Sequence, residues 1–296
     1  MPHILKNKDL EIKIDFPLEN YNFSRFDWTG KIVEVRFQNT LFSSVEETNA
    51  HNENQIGKGF YNEFGIDSAL GFEETEIGDW FHKIGVGLLK KEDNQYLFSK
   101  AYQIRPAEFK TSTEPNKIIL ECKSERINAY SYILRKEIEL HESSFMIKYY
   151  LENTGEKEIN THEYVHNFTA INRSIGEDYV LNFKFDIKPD LFGERVNPEG
   201  IVEIGQNEIK FKCAPKEQFF FSNLTGGQIV DAGWELLHIK RKMGIREKGD
   251  FQTNKVNLWG WKHVISPELF FEIKIKPGES TEWSRTYEMR KLNCDG

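Results

Sequence analysis

The sequence predicts an all-β fold of mostly antiparallel sheets with few short helices, and three observations carry that prediction. Apolar and polar residues alternate with a period of two through several segments. Gly, Pro, Asn and Asp punctuate those segments at short intervals. No composition break, linker or internal repeat divides the 296 residues, so one domain over 1–296, with its core over about 20–290, is the economical reading. A β domain of that length is ordinarily two large sheets packed face to face, with the concave side of one free to form a cleft.

Taken along the chain, Ser68 to Gly78 is polar and Gly-punctuated, the character of a long loop lining a binding face. Ile118–Cys122 reads as a short strand. Tyr130, Tyr132, Leu134, Ile138 and Leu140 alternate with polar residues, and Lys136 is the one polar intrusion on the apolar side. After Glu142-Ser143-Ser144, Phe145, Ile147, Tyr149 and Leu151 resume the period, which predicts an antiparallel hairpin. Runs over 181–187, 201–211 and 270–275, the last ending at Lys276-Pro277-Gly278-Glu279, predict further strands. Residues 230–245 fit a helix through Trp234, Leu237 and Met243, and a strand through Trp234, Leu236 and His238; the strand is preferred.

Composition excludes several classes of function. With 39% hydrophobic and 14% aromatic residues the chain has ample core material. Its formal charge of -8 argues against a nucleic-acid partner. Cys122, Cys213 and Cys294 are odd in number and lack a CxxC pair, so reduced thiols are expected rather than disulfides or zinc. The early charged residues resemble no secretory signal and no window reads as a membrane span, which predicts a cytoplasmic protein without a membrane partner.

Candidate chemistry concentrates in Thr161-His162-Glu163-Tyr164-Val165-His166-Asn167-Phe168 and in Ser266-Pro267-Glu268. On a strand, His162, Tyr164, His166 and Phe168 share one face, and Glu163, Val165 and Asn167 share the other. An imidazole beside a tyrosine is a fair general acid, and a structural histidine satisfied by backbone is the competing reading. Glu268 follows a proline at the entrance of an apolar strand, where it is either a held base or a solvated strand end. Trp259 and Trp261 offer faces for sugar C–H groups, with core burial the alternative for one of them. Arg25 and Asp27 suit hydroxyl recognition or a plain surface pair. His82 and Lys83 either face a ligand or solvate a strand edge. His162 and His166 would pair on zinc only on a helix, and no HExxH, nucleophile elbow, Walker loop or dinucleotide fingerprint is present, so neither metal nor cofactor is expected.

Arg25-Phe26-Asp27-Trp28, Glu63-Phe64-Gly65-Ile66, Lys83-Ile84-Gly85-Val86-Gly87, Glu163-Tyr164-Val165-His166-Asn167-Phe168, Ile265-Ser266-Pro267-Glu268, Lys276-Pro277-Gly278-Glu279 and Trp283 together resemble the aldose 1-epimerase (galactose mutarotase-like) superfamily, especially its uncharacterised bacterial members. The likeness runs from about Arg25 to Tyr287. It implies a β-supersandwich and an isomerase that interconverts sugar anomers, with a small carbohydrate as partner. Glu268 matches the base that takes the anomeric hydroxyl proton, and His166 the acid that protonates the ring oxygen. His162 is the rival acid, because His162-Glu163-Tyr164 fits the start of the family's H-x-Y-F-N pattern. Tyr164, Asn167, Arg25, Asp27, Trp259 and Trp261 then become substrate contacts, and Asp231 the match of the sugar-binding aspartate. The early His and Arg that grip hexose hydroxyls have no clear counterpart.

With ordinary pKa values of about 4.3 for a glutamate and about 6.5 for a histidine, Glu268 is expected ionised at neutral pH and the imidazole held protonated by a nearby carboxylate. A non-catalytic sugar-binding or sugar-sensing protein is the alternative, and an accessory domain of a lyase or hydrolase a third class. Lys240, Arg241, Lys242 and Arg246 would serve a phosphorylated sugar, or else form a solvated edge. A homodimer is among the assemblies the sequence leaves open.

Overall fold

The computed structural model describes residues 2–292; Cys294 lies outside them. Twenty-four strands and one 3-10 turn, Pro189–Leu191, make up the regular structure, with no α-helix among the described residues. Nor is any helix there long and apolar enough to cross a membrane.

The strands form sheets of seven, ten, four and three members. The predicted hairpin is present as Tyr132–Leu140 and Ser144–Asn153, paired from Leu140↔Phe145 to Tyr132↔Asn153 in the ten-stranded sheet. Their alternation turns Leu134, Ile138, Ile147 and Leu151 inward, where each is fully buried. Within residues 230–245 the strand reading holds over Val230–His238, which a turn at 239–242 joins to its partner Met243–Thr253, with a bulge between Asp231 and Gly233. The run over 201–211 breaks into Val202–Ile204 and Glu208–Phe211.

The seven-stranded sheet lies against the ten-stranded one through aromatic contacts. Phe60 meets Phe145 and Tyr287 at 5.6 and 4.8 Å between ring centroids, and Phe271 stacks on Trp283 at 4.7 Å. Lys136, the polar intrusion, is explained here: its ammonium reaches Asp27 at 2.8 Å in the core, so the charge is buried as a pair.

A larger buried ionic cluster crosses between the two sheets. Arg285, on the Ser280–Lys291 strand, donates to Glu163 at 2.7 Å and to Glu247 at 2.6 Å, and all three side chains are fully buried. Asn62 and Trp283 donate to Glu163, and Asn167 and Trp234 to Glu247. Each carboxylate therefore meets a cation and two neutral donors, which is what permits its burial.

Arg285→Met should lower unfolding stability by about 3–5 kcal/mol, because two buried carboxylates lose their cation. Urea denaturation reads this as a lower midpoint at unchanged slope; a loss below about 1 kcal/mol would show that the cluster does not pin the sheets.

Candidate active site

Two strands bring the candidate pair together. Ile159–Asn167 lies between Phe60–Phe64 and Phe271–Ile275 in the seven-stranded sheet, and Val264–Leu269 is the edge of the four-stranded sheet. Glu268 sits inside that edge strand, opposite Asn257, rather than at the entrance of the strand that follows it. An edge position accommodates Pro267, which has no N–H to give to a ladder.

The pleat sends Ser266 and Glu268 to one side, where both meet the same imidazole. Glu268 Oε1 lies 3.3 Å from His166 Nε2, and Ser266 Oγ lies 2.7 Å from His166 Nδ1. In the tautomer whose Nδ1–H donates to Ser266, Nε2 is the nitrogen left to exchange a proton with Glu268. Ser266 has no role in the sequence reading; its spacing of two residues from Glu268 is the signal that could have found it.

His166 is boxed by rings. Phe168 stacks on it at 4.0 Å, and Trp259 and Phe26 present edges at 5.2 and 6.0 Å. This burial drives the imidazole well below its ordinary pKa, and the positive charge of Arg25 adds to the effect. Burial likewise raises Glu268, to about 8, with the Glu63 charge pushing the same way and Arg25, Lys255 and the Asn257 hydrogen bond opposing it. The expected charge states are therefore corrected: at neutral pH Glu268 holds a proton and His166 is uncharged, because loss of water outweighs the attraction between them. The pair still shares one proton.

The two residues face a cleft of about 1200 Å³ that also takes in Arg25, Tyr164, Trp259 and Trp261. Arg25 is held in place by Glu63 at 2.9 Å, Glu46 at 2.8 Å and the Tyr164 hydroxyl at 3.3 Å, between the rings of Phe26 and Phe98. Tyr164 gives its own proton to Glu63 at 2.6 Å. Glu63, fully buried, also receives Lys83 at 3.3 Å, a cluster that sequence reasoning missed because its members are far apart in the chain.

Other candidates are placed elsewhere. Asn167 is turned to the opposite face, into the core, where it donates to Glu247 and to the Pro267 carbonyl at 2.9 and 2.6 Å; it is not a cleft residue. Asp27 is spent on Lys136, Thr29 N–H and the core. Asp231 is exposed, accepts from Gln252 and borders a separate cavity. His162 shares a face with His166, as predicted, but its nearest ionic neighbour is Asp67 at 3.8 Å rather than Glu268. His82 and Lys83 are buried, not at a solvated edge. None of residues 68–78 lines the cleft; Phe72 packs on Phe81 at 5.0 Å. Lys240, Arg241, Lys242 and Arg246 are likewise absent from its walls, where the cations are Arg25 and Lys255. Among the described residues no three His, Cys, Asp or Glu side chains converge as a metal site.

Solved structures with this architecture come from several organisms. The chain superimposes on a Synechocystis protein with a TM-score of 0.63 at 12% identity, over 98% of this chain and 96% of the other. A galactose mutarotase related enzyme from Lactobacillus acidophilus gives 0.59 at 11% identity, over 100% and 99%. A galactose mutarotase-like protein from Clostridium acetobutylicum gives 0.59 at 12%, over 98% and 95%. No protein-family model and no curated protein sequence matches the chain. The fold is thus the galactose mutarotase-like β-sandwich that the sequence predicts.

Followed by imidazole NMR, His166 should remain neutral from pH 8 down to well below 6.5, the sign that burial dictates. Trp259→Ala, which admits water beside the ring, should raise its midpoint toward about 6.5. A wild-type midpoint already near the ordinary value would contradict the boxed geometry.

Proposed function

We propose that this protein is an aldose 1-epimerase, an isomerase that opens and recloses a sugar hemiacetal with Glu268 as base and His166 as acid. The observation that carries the reading is the Glu268–His166 contact of 3.3 Å at an aromatic-walled cleft. The hydroxyl oxygen and ring oxygen of a hemiacetal share one carbon, so two proton-transfer groups side by side can address both at once. In the reactive arrangement Glu268 is a carboxylate and His166 carries the shared proton on Nε2. The O1–H proton passes to Glu268 as the C1–O1 double bond forms. The C1–O5 bond breaks, its electron pair stays on O5, and O5 takes the Nε2 proton. Rotation about C1–C2 and reversal of these steps give the other anomer.

Ring opening leaves Glu268 protonated and His166 neutral, the arrangement that burial favours. The open-chain aldehyde is therefore matched by the resting protonation of the pair, and no proton need enter from solvent. Arg25 and Tyr164 shape the cleft wall with hydrogen bonds already committed, while Trp259 supplies an apolar surface for sugar C–H groups. With Arg25 and Lys255 both tied to carboxylates, an unphosphorylated sugar fits better than a phosphorylated one. We place this activity in the cytoplasm and in a single domain.

Glu268→Gln should reduce anomer interconversion at least about 10²-fold, measured by polarimetry on freshly dissolved aldoses. Sugar binding without acceleration by the wild type would favour a binding or sensing protein instead.

The rate should be bell-shaped in pH. Above about 8 the pair loses its shared proton and no acid remains. On the acid side His166 gains a second proton and no base remains, so that limb falls well below 6.5. A single rise through about 4.3, the titration of an ordinary carboxylate, would contradict this assignment.

A further inference from the structure

We infer that the cleft holds a second sugar subsite, so that its preferred substrates are reducing disaccharides or longer chains rather than free monosaccharides. This inference rests on the epimerase reading for the first subsite only.

The floor of the cleft is the four-stranded sheet formed by Arg195–Val196, Phe219–Phe221, Val256–Trp261 and Val264–Leu269. Directly paired residues of an antiparallel sheet share a face. Glu268 pairs with Asn257, and Ser266 with Trp259. Trp259 pairs in turn with Phe220, and Ser222 follows two residues on from Phe220. Beyond Ser222 comes Glu194, whose N–H donates to the Ser222 hydroxyl at 2.7 Å. All these positions except Ser266 line the cleft. The floor thus continues across three strand spacings from Glu268, roughly 14 Å at about 4.8 Å each.

Two rows run across it. Glu268, Asn257, Ser222 and Glu194 form a polar row, and Trp259 and Phe220 an apolar one. A pyranose presents hydroxyls at its rim and C–H groups on its face, so a polar row beside an apolar row is the surface a sugar residue needs. One ring covers about one strand spacing, and the ring at Glu268 and His166 leaves Phe220 and Ser222 uncovered. Phe220 is half-buried and, among the described residues, stacks on no other ring. The 1200 Å³ of the cleft also exceeds the roughly 300–1,000 Å³ that encloses a drug-sized ligand. Only the reducing-end residue of an oligosaccharide has a free hemiacetal. That residue must sit at the catalytic pair, and the next one then falls over Phe220 and Ser222.

The test compares glucose with maltose, cellobiose and lactose, all of which end in glucose. At least one disaccharide should be interconverted with a kcat/KM about tenfold above that of glucose, and Phe220→Ala should lower that ratio by a similar factor. Binding of the methyl glycosides of the same four sugars, which have no free hemiacetal, is measured alongside by NMR titration. Tighter binding of a disaccharide glycoside than of methyl glucoside supports the subsite even if no sugar is epimerised, and in that case only the enzyme reading falls. Equal affinities with equal kcat/KM overturn the subsite while leaving the epimerase intact. If no glycoside binds and no sugar is turned over, both readings are overturned.

Discussion

Arg285 is the side chain on which the rest of the arrangement hangs. Its guanidinium joins Glu163 of one large sheet to Glu247 of the other, and a further N–H reaches the Leu269 carbonyl at 2.9 Å. Asn167, hydrogen-bonded to Glu247, holds the Pro267 carbonyl from the same side. The carbonyls before and after Glu268 are thus both fixed by the charge cluster that pins the sandwich. Isolated ion pairs of this kind seldom contribute much net stability, because desolvation offsets the attraction. Their value here is positional: the backbone that carries Glu268 is held from behind by the core, which is what the proposed base would require.

The same burial sets the chemistry. A carboxylate and an imidazole in water would ionise in opposite directions and attract. Buried, His166 within the box of Phe168, Trp259 and Phe26, each is instead pushed toward its neutral form. Moving the shared proton across 3.3 Å creates an ion pair without changing the net charge of the site. Bound sugar hydroxyls would stabilise that ion pair more than apolar walls do, so occupancy itself would favour the reactive arrangement. On the proposed mechanism, protonation in the empty cleft and reactivity in the filled one would be two ends of a single equilibrium.

Sequence periodicity carried most of the fold and, of the candidate site, the face on which each residue of one strand lies. The period of two in 130–151 is enough to give the hairpin, and the same rule correctly puts Tyr164 and His166 on one face and Glu163 and Asn167 on the other. Periodicity says which residues share a face; it does not say what that face meets. The family resemblance makes Asn167 a sugar contact, yet its own parity sends it to Glu247. Asp27 and Lys83 found partners 109 and 20 residues away, distances over which no local pattern operates. The protonation states were misjudged for a related reason, since the ring box around His166 is assembled from three separate segments, around Phe26, Phe168 and Trp259. What remained legible was the chemistry that one strand carries by itself.

The Ser266-Pro267-Glu268 segment shows how little sequence a two-sided contact needs. In a strand, alternate residues point the same way, so two side chains separated by one residue can grip a single planar ring by both of its nitrogens. The intervening residue must then satisfy the other face. Pro267 gives its carbonyl to Asn167 and, lacking an N–H, leaves no donor unpaired on a sheet edge. A residue with an N–H at this position would bring an additional donor to the edge between core and cleft. Proline is therefore a residue suited to an edge strand that carries a buried acid: the same edge is bridged to Thr169 through Ile265 and closed by the Asn167 amide at the Pro267 carbonyl, and no further N–H there needs a partner.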